Sequence, residues 1–367
     1  MGGIWLSTNE IRKDYLLDRW TVIATERKRR PTDFARKKQE KRKIDTCPLC
    51  PGNERMTPPA VLVYIPSKNG KIKKEKDQNS FRHKGWIVRC VPNLYPAFTP
   101  PESPEKVEIK ESPFLARAIG HHEVLIESPN HNEHPGVARI SQLTHVINAY
   151  LDRLKALSSK AYVRYVSIFR NHGQEAGASL SHAHSQIIAA PFVPAILEEE
   201  LNACRKFRAE NKKCAFCDII RREKNSQRFI WENKSFVIFA PWASVQPLEF
   251  WIAPKRHQPT LLDISDAEVE DFGIALRLSL GGLNSLLNDP PYNFGFHISP
   301  SRQYRKCYHW HLEVYPKLAI WAGFEKSSGM FINTVRPEDA ATDLKDAIRE
   351  EEKNFSRGPL KISCARI

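Results

Sequence analysis

Ser181-His182-Ala183-His184-Ser185-Gln186 opens an alternating apolar stretch that runs to Ala190, and a second pair, His309-Trp310-His311, opens a similar stretch that runs to Tyr315. Working outward from these two points, the same order of features appears twice. Upstream of the first pair lie Cys47-Pro-Leu-Cys50, the apolar segment Trp86-Ile-Val-Arg-Cys-Val-Pro92, and the alternating run His122-Glu-Val-Leu-Ile-Glu127 leading to Ser-Pro-Asn-His131. Upstream of the second lie Cys214-Ala-Phe-Cys217, Phe236-Val-Ile-Phe-Ala-Pro241, and Glu249-Phe-Trp-Ile-Ala253 leading to Pro-Lys-Arg-His257. A repeat of this kind reports two copies of one supersecondary unit.

Between the histidine that ends each run and the His-x-His pair, apolar residues recur at helical spacing. Leu143, Val146, Ile147, Tyr150, Leu151 and Leu154 do so in the first half, and Val269, Phe272, Ile274, Leu276, Leu280 and Leu283 less regularly in the second. Strands are expected at 162–169 and 182–190, and again at 293–298 and 309–315, each pair separated by a loop of small or polar residues. This predicts an α+β fold of two similar units, mainly antiparallel sheets with packed helices, the two sheets joined edge to edge. A boundary at 191–195 gives domains 1–195 and 196–367. The charged stretch 198–213 reads as a connecting helix, and 343–354 as a solvated one.

A chain of 367 residues, 41% hydrophobic, suits two ordinary cores. No apolar run is long enough to cross a bilayer and no signal peptide is evident, so a cytoplasmic protein without membrane contact is expected. The net charge of +14 gathers in 27–43, 68–76 and 205–213. Such clusters suit a phosphorylated ligand, although the lysines of 71–76 read as a solvating loop.

The four ligand-type residues of each half, Cys47, Cys50, His131 and His182, then Cys214, Cys217, His257 and His309, match a tetrahedral Zn²⁺ site. Both sets stand in register in the repeat, so two structural zinc ions per chain are expected. Cys90, Cys204, Cys307 and Cys364 stand alone, and the sequence does not pair them.

Only the first His-x-His is preceded by a loop built to approach a ligand: Asn171-His-Gly173-Gln-Glu-Ala-Gly177-Ala-Ser179. Its glycines, amides, the Asn171 amide and the Ser179 hydroxyl offer donors to phosphate oxygens. A neutral His184 imidazole can attack phosphorus and form a phosphoramidate, provided a backbone carbonyl holds its other nitrogen and positive surroundings keep it unprotonated.

Cys-x-x-Cys, Asn-x-Gly-x-x-x-Gly-x-Ser and His-x-His-x-Gln together resemble the galactose-1-phosphate uridylyltransferase family, which includes ADP-glucose phosphorylase. The resemblance spans nearly the whole chain. It implies duplicated histidine-triad (HIT-like) units, a homodimer, and ping-pong transfer through a nucleotidyl-histidine on His184. It further implies that Asn171, Gly177, Ser179 and Gln186 bind phosphoryl oxygens, with Gln186 favouring transfer over hydrolysis. Arg27 and Arg30 resemble residues near the phosphates, Asn93 one in the base and ribose pocket, and Phe324 and Glu325 those that contact the hexose. Phe324 stands where a tyrosine is usual. Some members hold their second metal, iron included, with carboxylate and histidines, sometimes using the second histidine of the pair, which here is His311.

The expected function is exchange of UMP between UDP-glucose and galactose 1-phosphate, in galactose metabolism by the Leloir pathway. The alternative on the same fold is an ADP-sugar phosphorylase or adenylyltransferase. A zinc protein that binds nucleic acid is the alternative of another class, and it leaves the residues from Asn171 to Gln186 without a purpose.

Overall fold

The computed structural model describes residues 9–24, 46–103, 110–112 and 115–356. Arg27, Arg30 and Cys364 lie outside these residues. The strands are β1 (Glu10–Lys13), β2 (Trp20–Ile23), β3 (Leu62–Pro66), β4 (Ile72–Glu75), β5 (Val88–Pro92), β6 (Lys110–Ser112), β7 (Leu115–Ala116), β8 (His121–Ile126), β9 (Tyr165–His172), β10 (His184–Ala190), β11 (Phe229–Glu232), β12 (Phe236–Phe239), β13 (Phe250–Pro254), β14 (Tyr292–His297), β15 (His311–Pro316) and β16 (Phe331–Asn333). The helices are α1 (Ile140–Ser158), α2 (Ala195–Asn211), α3 (Ala215–Glu223), α4 (Asp266–Leu287), α5 (Gly323–Ser328) and α6 (Pro337–Ser356).

One sheet of eleven strands organises the chain, in the order β11-β12-β13-β15-β14-β9-β10-β8-β5-β3-β4. Reading outward from the central β9–β14 pair, β9-β10-β8-β5-β3 mirrors β14-β15-β13-β12-β11. The repeat seen in sequence is therefore a repeat in space, with the two halves joined by antiparallel pairing of Asn171 with Asn293 and Arg170 with Phe294. The fold is α+β with a large antiparallel sheet, as the alternating patterns predict.

Helices α1 and α4 cover one face of this sheet, and in the second half α2 and α3 pack on the other, where Glu200 and Phe216 meet His297 and His311. In α1, Leu143, Val146, Ile147, Tyr150, Leu154 and Leu157 are buried at helical spacing, and α4 lies beside it. Ser265 caps α4 and Glu268 reaches back to the Ser265 amide, a capping box that satisfies two otherwise unpaired N–H groups. The large core includes Leu125 and Cys90, whereas their strand neighbours Ile126 and Val91 belong to a small cluster with Val63, Trp86, Leu49 and both cysteines of 47–50. Alternation along β5 and β8 thus assigns Ile126 to the face opposite α1 and α4.

Three expectations need correction. The stretch 343–354 is not a solvated helix: it belongs to α6, whose Ala340, Ala341, Leu344 and Ile348 are buried, with Ile348 set against Gly282 of α4. The alternation of charged with small apolar residues hid a narrow buried stripe. The lysines of 71–76 lie partly on the edge strand β4, where Lys73 pairs with Glu75 and Lys74 with Asp152. Finally, β10 and β15 begin at the second histidine of each pair, so His182 and His309 precede their strands. A small sheet of β1, β2 and β16 was not foreseen, its strands being only three or four residues long. Among the described residues no helix is long and apolar enough to cross a membrane.

Candidate functional site

His182 and His184 diverge because only the second is in the sheet. His184 pairs with Ile126, and directly paired residues share a face, so its ring projects from the face opposite α1 and α4, beside the small cluster. His182 instead turns its Nδ1 toward the cysteines, 3.4 Å from Cys50 Sγ and 3.7 Å from Cys47 Sγ. His131 Nδ1 lies 3.2 Å from Cys50 Sγ. One ligand atom from each of these four buried residues lies within 4.8 Å of the others.

The outer nitrogens of both rings are held. His182 Nε2 bonds to the Ser128 carbonyl at 2.8 Å and His131 Nε2 lies 3.0 Å from Ser181 Oγ. Partners of this kind fix tautomer and orientation for a metal-binding imidazole. The second set repeats the arrangement. Cys217 Sγ lies 3.4 Å from His257 Nδ1 and 3.5 Å from His309 Nδ1, while His309 Nε2 bonds to the Pro254 carbonyl and His257 Nε2 to the Arg305 carbonyl. Cys214 completes this set of four, again within 4.8 Å. Two thiols and two imidazoles, each presenting Nδ1 inward, fit tetrahedral Zn²⁺ in both places. Among the described cysteines none forms a disulfide, and Cys90, Cys204 and Cys307 are buried thiols.

His184 is 6% exposed. Its Nδ1 donates to the His182 carbonyl at 2.8 Å, which leaves the lone pair on Nε2. Burial pushes its pKa below the ordinary imidazole value, and the nearby Arg170 guanidinium acts in the same direction. The His184 carbonyl accepts from Arg170 Nη1 at 3.0 Å. Arg170 also pairs with Glu127, which accepts from Ser185 Oγ and from Tyr150 of α1. The nucleophile candidate thus stands on a buried ionic network that no sequence motif announced; its residues are spread over β8, α1, β9 and β10.

The 171–179 loop approaches the same place. Asn171 Oδ1 accepts from Asn293 Nδ2 at 2.8 Å, so its own Nδ2 faces the loop, 3.6 Å from where a Cβ on Gly177 would stand. Gly177 has φ +88°. Gly173 has φ +81°, and a Cβ there would stand 2.8 Å from Pro291 Cβ; both positions require glycine. Gln186 follows His184 on the same face, with Oε1 2.7 Å from His122 Nε2. Asn93 lies against His122 as well, which brings it to this site, and Ser179 belongs to the same loop. Phe324 and Glu325 sit on α5, which packs on β16, and Phe324 is 46% exposed.

His311 occupies in the second half the place that His184 holds in the first, yet it cannot act alike. It is 0% exposed, with Phe216 and Trp251 ring centroids at 4.5 and 4.8 Å. It belongs to a further buried set, Glu200, His297, His311 and Glu313, whose ligand atoms also lie within 4.8 Å. His297 pairs with Glu200 and Glu313, and His311 with Glu313. Burial opposes a charge on His297, but the two carboxylates outweigh it and raise its pKa to about 9. The carboxylate–histidine set thus exists beside the cysteine–histidine set, not in place of it. His311-x-Glu313 on one strand face was the available signal; only the fold could add Glu200 and His297.

The duplicated sheet and its two cysteine–histidine sets define an α+β protein with two candidate metal sites. Residues 129–358 match the sequence family described as "Domain of unknown function (DUF4921)". The chain is 33% identical over 346 residues to ADP-glucose phosphorylase of Arabidopsis thaliana, covering 92% of each chain. It is 29% identical over 347 residues to galactose-1-phosphate uridylyltransferase of Thermotoga maritima, covering 92% of this chain and 98% of that one. The crystal structure of the Arabidopsis enzyme with bound ADP-glucose superposes with TM-score 0.76 at 30% identity, over 92% of this chain and 99% of that one. A uridylyltransferase structure gives 0.69 at 26%, over 94% and 99%. The chain belongs to the galactose-1-phosphate uridylyltransferase family, in which the ADP-glucose phosphorylases are also found.

Proposed function

We propose that this chain is a nucleotidyltransferase that moves a nucleoside monophosphate from a nucleotide sugar to a phosphate-bearing acceptor through a covalent intermediate on His184. The observation that carries the reading is the His184 ring, one nitrogen engaged by the His182 carbonyl and the other bearing a lone pair on the strand face shared with Gln186, next to the end of β9 that carries Asn171.

In the first step Nε2 attacks the α-phosphorus. A P–N bond forms, the bond from phosphorus to the bridging oxygen breaks, and the sugar 1-phosphate leaves with the electron pair. The positive charge that develops on the ring is shared with the Nδ1–H···O=C bond to His182. Donors from Asn171, Ser179, the loop amides around Gly177 and the Gln186 amide meet the phosphoryl oxygens, where negative charge is concentrated. In the second step an acceptor phosphate oxygen attacks phosphorus, the P–N bond breaks, and its electrons return to Nε2. The Gln186 amide donates hydrogen bonds but acts as neither acid nor base near neutral pH, so it cannot pass a proton to the leaving group or take one from water, which favours transfer over hydrolysis.

The metal residues are Cys47, Cys50, His131 and His182 at one site and Cys214, Cys217, His257 and His309 at the other. Zn²⁺, once bound, supplies structural bonding alone, since its four positions are filled by protein. Residues 1–195 form the catalytic unit and 196–367 the second, in a homodimer, with Phe324 and Glu325 toward the hexose.

The expected donor was UDP-glucose, with galactose 1-phosphate as acceptor. The likeness to an ADP-glucose phosphorylase, at higher identity and TM-score than to the uridylyltransferases above, supports an ADP-sugar as the first donor to examine. The test runs ADP-glucose with inorganic phosphate against UDP-glucose with galactose 1-phosphate. Parallel double-reciprocal plots with one pair are expected; intersecting plots, or no turnover with either, sink the proposal.

A further inference from the structure

His122 carries no role in the motifs, yet it touches both ends of the site. On β8 it pairs with Ile188, and Val124 pairs with Gln186, so alternation puts His122, Gln186 and His184 on one face. Its neighbour His121 faces the other way and bonds to the Tyr162 hydroxyl at 2.8 Å.

The contacts of His122 determine where its proton sits. Nδ1 lies 3.1 Å from the Ala97 amide nitrogen, and a backbone N–H only donates, so Nδ1 is an acceptor. The ring proton is then on Nε2, and Gln186 Oε1, at 2.7 Å, accepts it. With the proton on Nε2, the Asn93 Nδ2, 3.2 Å away, stands donor to donor and adds no hydrogen bond to that nitrogen, while the Asn93 Oδ1 accepts the Tyr95 N–H. The Asn93 N–H closes the set by donating to the His122 carbonyl at 2.8 Å.

Two consequences follow. A flipped Gln186 amide would set N–H against N–H, so the tautomer of His122 dictates which end of Gln186 faces the phosphoryl group: its NH₂, a donor. The segment 93–97, which exposes Leu94 by 60% and Tyr95 by 85%, has little apolar packing of its own and is fastened to the sheet through His122.

We propose that His122 is a positioning residue that joins the segment 93–97, whose Asn93 resembles a base- and ribose-pocket residue, to the amide of Gln186, setting the orientation of both. The inference rests on the nucleotidyl-histidine reading above.

Its two bonds can be separated. In His122→Asn, Oδ1 takes the place of Nδ1 and keeps the Ala97 N–H, while nothing reaches Gln186. In His122→Gln, the terminal NH₂ takes the place of Nε2 and keeps Gln186, while Ala97 loses its acceptor. One hydrogen bond corresponds to about a tenfold effect. With the donor nucleotide sugar that labels the wild type, His122→Asn is expected to slow single-turnover labelling at saturation about tenfold and leave the half-saturating concentration within about threefold. His122→Gln is expected to do the reverse. In a Gln186→Leu background, His122→Asn should slow labelling no further. Equal loss of both parameters in the two variants, no loss in either, or additivity with Gln186→Leu overturns the inference. Histidine-selective ¹⁵N NMR of the unmodified protein gives an independent reading: Nε2 protonated is expected, and Nδ1 protonated contradicts it. A wild type that no nucleotide sugar labels sinks the underlying function and this inference together; normal wild-type labelling with uniform variants sinks this inference alone.

Discussion

His184 Nδ1 donates to the carbonyl oxygen of His182 at 2.8 Å, so the residue that turns one ring nitrogen toward the first cysteine pair also fixes the tautomer of the candidate nucleophile through its backbone. The two candidate metal sites should therefore differ in consequence. Cys50→Ala, at the first, is expected to lower the transfer rate about 10- to 100-fold beyond any loss of folded protein. Cys214→Ala, whose neighbouring His-x-His has a buried second histidine, should lower the thermal midpoint with a smaller effect on the rate of the folded fraction. Elemental analysis with rate measurement on each variant checks this; two zinc per wild-type chain are expected. Equal rate losses contradict it.

Arg170 and Glu127 form a buried pair directly behind the His184 peptide. Removing one partner leaves a buried charge without its counterpart, so Arg170→Leu or Glu127→Leu should each cost about 3–5 kcal/mol. The double variant should cost less than the sum of the two. Denaturant unfolding of the four proteins gives the comparison, and simple additivity contradicts the pairing.

Gly173 combines a positive φ with a contact to Pro291. Gly173→Ala should destabilise by about 1–3 kcal/mol and displace the Asn171 end of the loop. Gly177→Ala meets only Asn171 Nδ2, at an ordinary contact distance of 3.6 Å, and carries the backbone cost alone, about 1–2 kcal/mol. Thermal unfolding ranks the two, and a milder Gly173→Ala contradicts the clash.

Glu268 has its pKa lowered to about 2, chiefly by the Arg256 hydrogen bonds; burial opposes this and Ser265 adds to it. A carboxylate with a depressed folded pKa stabilises fully above its unfolded value near 4.5, and this contribution disappears as pH falls from there toward 2. With Arg256 56% exposed, solvent screening leaves on the order of 2 kcal/mol. Glu268→Gln should reduce stability at pH 7 and flatten its decline in that acid window; an unchanged slope contradicts the assignment.

The α+β class, the repeat and the meeting of both cysteine–histidine sets were legible because cysteine pairs and His-x-His stand at corresponding places twice, and alternation marks strands buried on one face. The joining of the halves into one sheet through Asn171 and Asn293 follows from the same repeat. The supports of the site were not legible. Glu127, Tyr150, Arg170 and Ser185 look in sequence like ordinary strand and helix residues, and His122 reads as the start of a strand. Likewise Glu200 and His297 stand far apart in the chain and meet His311 only in the folded molecule. Such residues act through tertiary contacts that leave no periodic or motif signature.

The most direct test of the central claim is to mix stoichiometric protein with nucleotide sugar labelled in the α-phosphate and to map the label by peptide mass spectrometry. An acid-labile, alkali-stable nucleotidyl group on His184, absent from His184→Gln and discharged by a phosphate acceptor, is the predicted result. Label on another residue, or none with either ADP-glucose or UDP-glucose, contradicts it.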